Sequence, residues 1–275
     1  MKQPAAGHSA QLTDDAFLGG ALRVLQPKRG YRAGLDALLL AAAAPLRSRG
    51  RERVLDVGAG VGVVGLALAR RALRADVTLV EREACLVALA RSNIVRNGLE
   101  ARMRVIEADV ARRLDELEEL KAAAETFDHV LANPPYHREG AGTVATAALK
   151  ATANTMPGGS LARWARFMAA MARPGGSATM IHRADALEAV LSAFAGRFGG
   201  LLVFPIYPHE GKSATRVLVQ GRKGSKAPTE LRPGLVLHER ANRVRPEVEA
   251  VLRHGAGLAL AQPARQAGRN RPACP

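Results

Sequence analysis

The chain has 275 residues, 48% of them hydrophobic, and carries 40 Lys and Arg against 25 Asp and Glu for a net charge of +15. That length buries a core for one large domain, or one domain with appendages; no apolar run reaches the roughly 18 residues of a membrane-spanning helix. Two cysteines, Cys85 and Cys274, build neither a disulfide framework nor a metal cluster, so a reducing cytoplasm and no metal are expected. The charge excess points to a polyanionic partner, most commonly nucleic acid. Free use of Arg and Ala throughout the chain is the competing explanation.

In chain order, Met1 to Asp15 lacks the apolar core of a signal peptide. The block Gln26-Pro27-Lys28-Arg29-Gly30-Tyr31-Arg32 then precedes a helix expected at Leu35 to Leu46. From about residue 53 to 182, apolar runs alternate with helical patterns, as in a parallel sheet with crossover helices. Strands are expected at Arg53–Val57, Asp76–Val80, Met103–Glu107, Phe127–Leu131 and Ser177–Ile181, with helices at Val63–Leu73, Glu83–Arg96, Val110–Ala124 and Leu161–Ala172. On the last of these, Trp164, Phe167 and Met168 fall at core spacing. A helix at Asp185–Phe198 leads to two strands, Leu201–Tyr207 and Ala214–Gly221, joined by a short loop that implies an antiparallel hairpin. The expected fold is α/β and Rossmann-like: a mostly parallel seven-stranded sheet with an antiparallel C-terminal hairpin and helices on both faces. Residues 1–50 read as an N-terminal cap, 51–224 as the sheet domain and 225–275 as a basic extension. Residues 222 to 275 hold eleven Lys or Arg against four Asp or Glu, a net +7, and Gln262 to Pro275 has the composition of a disordered tail.

Asp56-Val57-Gly58-Ala59-Gly60-Val61-Gly62 is a strand end running into a glycine-rich turn. Glycines there let a ligand approach the backbone. A dinucleotide fingerprint wants its last glycine at the position held by Val63, which makes a dehydrogenase the weaker reading. The Asp-x-Gly-x-Gly-x-Gly form is similar to the first motif of S-adenosylmethionine-dependent methyltransferases. Glu81 after the second sheet strand can accept ribose hydroxyls, and Asp109 after the third an adenine amino group; either alone also reads as a solvated strand end.

The fourth sheet strand ends in Asn133-Pro134-Pro135-Tyr136. By itself Asn-Pro also starts ordinary turns. As a site, the Asn133 amide oxygen and the Pro134 carbonyl can both accept from one NH2 group, drawing out a lone pair that is otherwise delocalised. Pro135 stiffens the loop, and Tyr136 offers a planar stacking face. Asp56, Glu81, Asp109 and Asn133 then close four successive strands, where open α/β sheets bind ligands.

On these motifs the chain resembles the class I methyltransferases of the small-domain group. Within them it is similar to the bacterial tRNA (adenine-N6)-methyltransferases that modify an adenine beside the anticodon of a valine tRNA. The resemblance runs over roughly residues 14 to 253, carried by the Gln26 to Arg32 block with Asp36, the Asp56 to Gly62 turn, Asn133 to Tyr136, and the segment Thr215 to Ser225. It implies that Tyr31, Arg32 and Asp36 wall the cofactor's methionine end, with Arg32 suited to its carboxylate; Asp36 has helix capping as its other reading. The cofactor set is then Tyr31, Arg32, Asp36, Asp56, Gly58, Ala59, Gly60, Gly62, Glu81, Asp109 and Asn133.

Methyl transfer to the N6 amine of an adenine in tRNA near the anticodon follows as the expected activity, with the base extruded onto Tyr136. Lys28, Arg29, Lys212, Arg216, Arg222, Lys223 and Lys226 are candidate phosphate contacts, and His137 and Arg138 stand nearest the flipped base in sequence. Residues His137 to Ser160 form a loop long enough for a substrate lid. The same tetrapeptide also suits a glutamine amide of a translation factor, or an amine of rRNA or DNA. A non-catalytic RNA-binding module is the remaining alternative. No membrane association is expected, and monomer and homodimer both stay open.

Overall fold

The computed structural model describes residues 11–47, 50–136 and 160–260. In chain order its elements are β1 (Leu12–Phe17), β2 (Leu22–Pro27), α1 (Leu35–Ala43), β3 (Glu52–Val57), α2 (Val63–Arg71), β4 (Ala75–Glu81), α3 (Ala84–Arg96) and β5 (Met103–Glu107). There follow α4 (Glu118–Ala122), β6 (Phe127–Ala132), α5 (Ser160–Met171), β7 (Ala172–Arg183), α6 (Leu187–Phe194), β8 (Phe198–His209), β9 (Arg216–Lys223), β10 (Glu230–Leu231), β11 (Leu235–His238) and α7 (Pro246–His254).

The main sheet has nine strands in the order β10-β8-β9-β7-β6-β3-β4-β5, with β11 also on β8. Strands β3 to β7 run parallel, and β9 is antiparallel to both β7 and β8. These are the seven expected strands with their hairpin; β10 and β11 extend the edge. The chain winds outward from β3 to β5, then returns to place β6 on the other side of β3, so the winding reverses between β3 and β6. Val57 is paired with Ala132 there, and the segments after both strands open into one crevice.

Alternation along the strands divides the core into two layers. Val54, Leu79, Leu131 and Ile181 pack on the side of α1, α2, α3 and α7. Leu55, Val80, Val130 and Met180 pack on the side of α4, α5 and α6. Trp164, Phe167 and Met168 of α5 are buried in this second layer, as their spacing implies.

Strands β1 and β2 form a separate antiparallel hairpin that the sequence reading passes over. Asparagines one helical turn apart fasten it to α3. Asn93 Oδ1 accepts from Leu25 N at 2.8 Å and its Nδ2 donates to Leu25 O at 3.0 Å, while Asn97 makes the same pair with Arg23 at 3.0 and 2.9 Å. Asn93 Nδ2 also lies 3.0 Å from Val61 O, so one fully buried side chain joins the hairpin to the glycine turn.

The expected helix Val110–Ala124 is instead a 3-10 turn at Leu114–Glu116 followed by the short α4, divided at Leu117 (φ −116°, ψ 73°). The stretch 235–260 contributes to the core beside α1: Leu235, Leu237, Val248, Val251 and Leu260 share its cluster, and Leu258 N donates to Ala42 O at 2.8 Å.

Candidate active site at the carboxyl ends of the strands

Gly58, Gly60 and Gly62 follow β3 at φ +66°, +56° and +93°, a region that favours glycine. A Cβ on Gly60 would lie 2.2 Å from the Tyr31 ring, and one on Gly58 2.3 Å from Trp164. The turn is therefore a cradle with no room for a side chain at Gly58 or Gly60. Two buried carboxylates hold it: Asp56 Oδ2 accepts from Gly65 N in the first turn of α2 at 3.1 Å, and Glu81 Oε2 accepts from Gly60 N at 2.9 Å. Glu81 Oε1 accepts from Arg82 N and Glu83 N at 2.8 and 3.0 Å. Ala59 N donates to Val80 O at 3.0 Å, tying the turn to β4.

Burial pushes the Asp56 carboxyl up to about 8, with the charge of Glu81 acting in the same sense and the Gly65 N–H in the opposite one. Burial, then Asp56 and Glu81, raises the Tyr31 hydroxyl well above its ordinary value, so this ring is a neutral phenol. Asp109, half-buried after β5, accepts from Ala111 N at 2.8 Å.

Asn133 follows Ala132 and so opens beside Gly58. The Tyr136 hydroxyl lies 2.5 Å from Asn133 Oδ1 and 3.1 Å from Asp36 Oδ2. Arg216 Nε donates to the same Asp36 oxygen at 2.8 Å, and its guanidinium stands over the Tyr136 ring, 5.1 Å from the centroid. His182, at the end of β7, meets Tyr136 edge-on with centroids 4.9 Å apart. Burial, then Asp36, raises the Tyr136 hydroxyl. Asp36 stands in the first turn of α1 without capping it, so its carboxylate serves this cluster.

The basic sequence candidates divide among several places. Arg32 is bound to the hairpin, donating to Asp15 Oδ2 at 2.6 Å, Thr13 Oγ1 at 2.8 Å and Pro27 O at 3.0 Å. Arg216 is engaged by Asp36 and Tyr136 inside the site, which draws its charge away from a surface phosphate role. Arg222 and Lys223 lie at the opposite end of the sheet, where Arg222 pairs with Ser177 and Lys223 donates to Glu125 at 2.6 Å and to Ala172 O at 2.9 Å. Lys28, Arg29, Lys212 and Lys226 are exposed. His137, Arg138, the expected lid up to residue 159 and Gln262 to Pro275 lie outside the described residues.

Three site residues escape the sequence reading. Asn93 had a signal as an asparagine inside a helix, where it is a poor helix former, four residues before the Asn97 that follows the helix end. Trp164 reads as core and is core, yet it also covers Gly58. His182 had none: it sits on an apolar strand, buried, with Nδ1 lacking a partner among the described residues. Among those residues no cluster of His, Cys, Asp and Glu is arranged to hold a metal, and no helix is long and apolar enough to cross a membrane.

A family model described as methyltransferase small domain matches residues 34–167. A tRNA1(Val) (adenine(37)-N6)-methyltransferase of Shewanella sp. (strain W3-18-1) is 32% identical over 111 residues, 40% of this chain and 44% of the relative. Its counterpart from Escherichia coli O6:K15:H31 is 36% identical over 120 residues, 42% of this chain and 45% of the relative. The chain thus matches less than half the length of these curated relatives. The crystal structure of a predicted O-methyltransferase from Agrobacterium tumefaciens is 33% identical with a TM-score of 0.68, over 81% of this chain and 98% of that one. Pyrococcus horikoshii TYW2 in complex with MeSAdo shares the fold, at 14% identity and a TM-score of 0.51, over 79% of this chain and 73% of that one. With one relative matched almost end to end and the family's domain recognised across the crevice, the chain belongs to the methyltransferase small-domain family, whose methyl donor is S-adenosylmethionine.

Proposed function

We propose that the protein transfers methyl from S-adenosylmethionine to the exocyclic N6 amine of an adenine in tRNA, near the anticodon. The observation that carries this reading is the placement of Asn133-Pro134-Pro135-Tyr136 at the winding reversal, beside the glycine cradle and braced by Asp36 and Arg216. The residues present fit the donor. The turn adds no side chain to the crevice at Gly58 or Gly60, where the Trp164 and Tyr31 rings pack on its backbone, and the carboxylates of Asp56 and Glu81 close the adjoining strands.

Bound S-adenosylmethionine supplies an electrophilic methyl group on a sulfonium. Gly58, Ala59, Gly60 and Gly62 let it approach, Tyr31 and Asp36 wall one end, and Asp56, Glu81 and Asp109 provide acceptors for its amino and hydroxyl groups. Glu81 already accepts three backbone N–H groups, which leaves about one of a carboxylate's four lone-pair directions for a ribose hydroxyl. The Asn133 oxygen and the Pro134 carbonyl orient the substrate amine. Tyr136 takes one lone pair of the Asn133 oxygen, and a second remains for the incoming N–H. No strong base is needed, because the amine sheds its proton once methylated and cationic. Tyr136, fixed by Arg216 and His182, presents the surface against which an extruded base packs.

The choice of tRNA adenine rests on the named activity of the 32–36% identical relatives and on the +15 charge, which an RNA substrate explains and a protein amide does not. Transfer of labelled methyl to bulk tRNA, rRNA or a release factor, each from cells lacking the activity, tests it. Label is expected on tRNA; label on protein alone contradicts it.

A further inference from the structure

We propose that Tyr207, His209, Val236 and His238, with Lys212 at the rim, form a stacking subsite for an unpaired nucleotide flanking the methylated base. The proposal rests on the RNA reading above. Strands β8 and β11 run parallel with Tyr207 opposite Val236 and His209 opposite His238, so these four side chains share one face of the sheet edge. Their out-of-step neighbours Ile206, Leu235 and Leu237 are buried in the core on the other face. The His209 and His238 rings lie 5.4 Å apart and are inclined by 37°, and His238 Nδ1 lies 3.1 Å from Pro208 O, which fixes the second ring. Beside them is an open hollow of about 420 Å³ lined by Tyr207, His209, Glu210, Lys212, Ser213 and Val236.

Flat rings, a hydroxyl and an exposed lysine in one hollow suit a base and its phosphate. Glu210, the carboxylate of the hollow, is countered by Arg245 at 3.6 Å. The hollow also adjoins the site. His182 pairs with Val217 and Val217 with Pro205, which places His182 on the same face as Tyr207, two strands away and on the order of 10 Å across the sheet. This face lies within reach of RNA leaving a base held at Tyr136, at the same end of the sheet.

Binding of a fluorescent single-stranded oligoribonucleotide to the full chain tests the subsite independently of catalysis. Simultaneous Tyr207→Ala and His209→Ala substitution weakens it about tenfold, while Tyr207→Phe, which keeps the ring, stays within twofold of wild type. Lys212→Glu, at an exposed tip where packing is not at stake, weakens it by a similar factor and flattens its salt dependence. RNA affinity unchanged in both the double variant and Lys212→Glu overturns the proposal. Methyl transfer measured in parallel separates the two readings. Methylated tRNA with unchanged affinity in those variants overturns the subsite alone, whereas weakened affinity with no methylation of RNA by wild type overturns the tRNA reading and leaves a single-strand contact that flanks no methylated base.

Discussion

Arg216 Nε meets Asp36 Oδ2 at 2.8 Å across 180 residues of sequence, and the Tyr136 hydroxyl lies 3.1 Å from the same oxygen. The contact joins the antiparallel strand β9 to helix α1 and, through Tyr136, reaches Asn133. The position of the Asn133 amide oxygen thus depends on Tyr136, three residues on, and through it on side chains from two distant segments, α1 and β9.

Arg216→Ala is expected to lower turnover on tRNA at least tenfold while changing S-adenosylmethionine affinity much less. With S-adenosylmethionine saturating, so that the place of Asp36 in the cofactor wall is not limiting, removing Asp36 as well adds little, because both residues then act through Tyr136. A double-mutant cycle on kcat checks this; additive losses mean that the two residues act independently.

Asn93→Ala removes a fully buried side chain, leaves the half-buried Leu25 N–H and C=O without their side-chain partners and frees the buried Val61 O. A loss of about 2–3 kcal/mol in urea unfolding is expected, together with weaker cofactor binding as the hairpin loosens from the glycine turn. Wild-type stability in this variant removes the anchoring role.

Gly60→Ala places a methyl group where the Tyr31 ring lies and demands φ +56° of a residue with a side chain. The backbone strain alone is about 1–2 kcal/mol. Calorimetry is expected to show S-adenosylmethionine affinity reduced more than tenfold; an unaltered affinity contradicts the cradle.

Sequence legibility followed how local each determinant is. The β3 strand and its glycine turn are readable because a buried apolar run, an acid and three glycines at positive φ adjoin in sequence. The β1–β2 hairpin is not: β1 buries no residue fully, and its place is set by Asn93 and Asn97, about seventy residues away. Helix α7 had readable signals in Pro246 at its start, Glu247 and Glu249 in the first turn, and Gly255 at φ +65° after the end, which the basic composition of the segment obscured. Arg216 and Lys223 look alike in sequence, yet β9 carries one to the site and the other to the far end of the sheet. Only the strand's direction and register separate their environments.

The folded-state value of Asp56, about 8, lies above the ordinary carboxylate value of about 4, so the ligand-free fold holds a proton that the unfolded chain releases. Stability from this group is complete below about pH 4 and is lost as pH rises through about 8. Thermal melting of the ligand-free protein is expected to show a decline with pH over this range that Asp56→Asn flattens. Identical pH profiles for the two proteins contradict the assignment.

The most direct measurement is mass spectrometry of nucleosides from tRNA treated with S-adenosylmethionine and either wild-type protein or Asn133→Ala. N6-methyladenosine is expected with wild type and nearly absent with the variant, while the variant still binds S-adenosylmethionine. Equal amounts of N6-methyladenosine from both proteins, or none from wild type, contradicts the account.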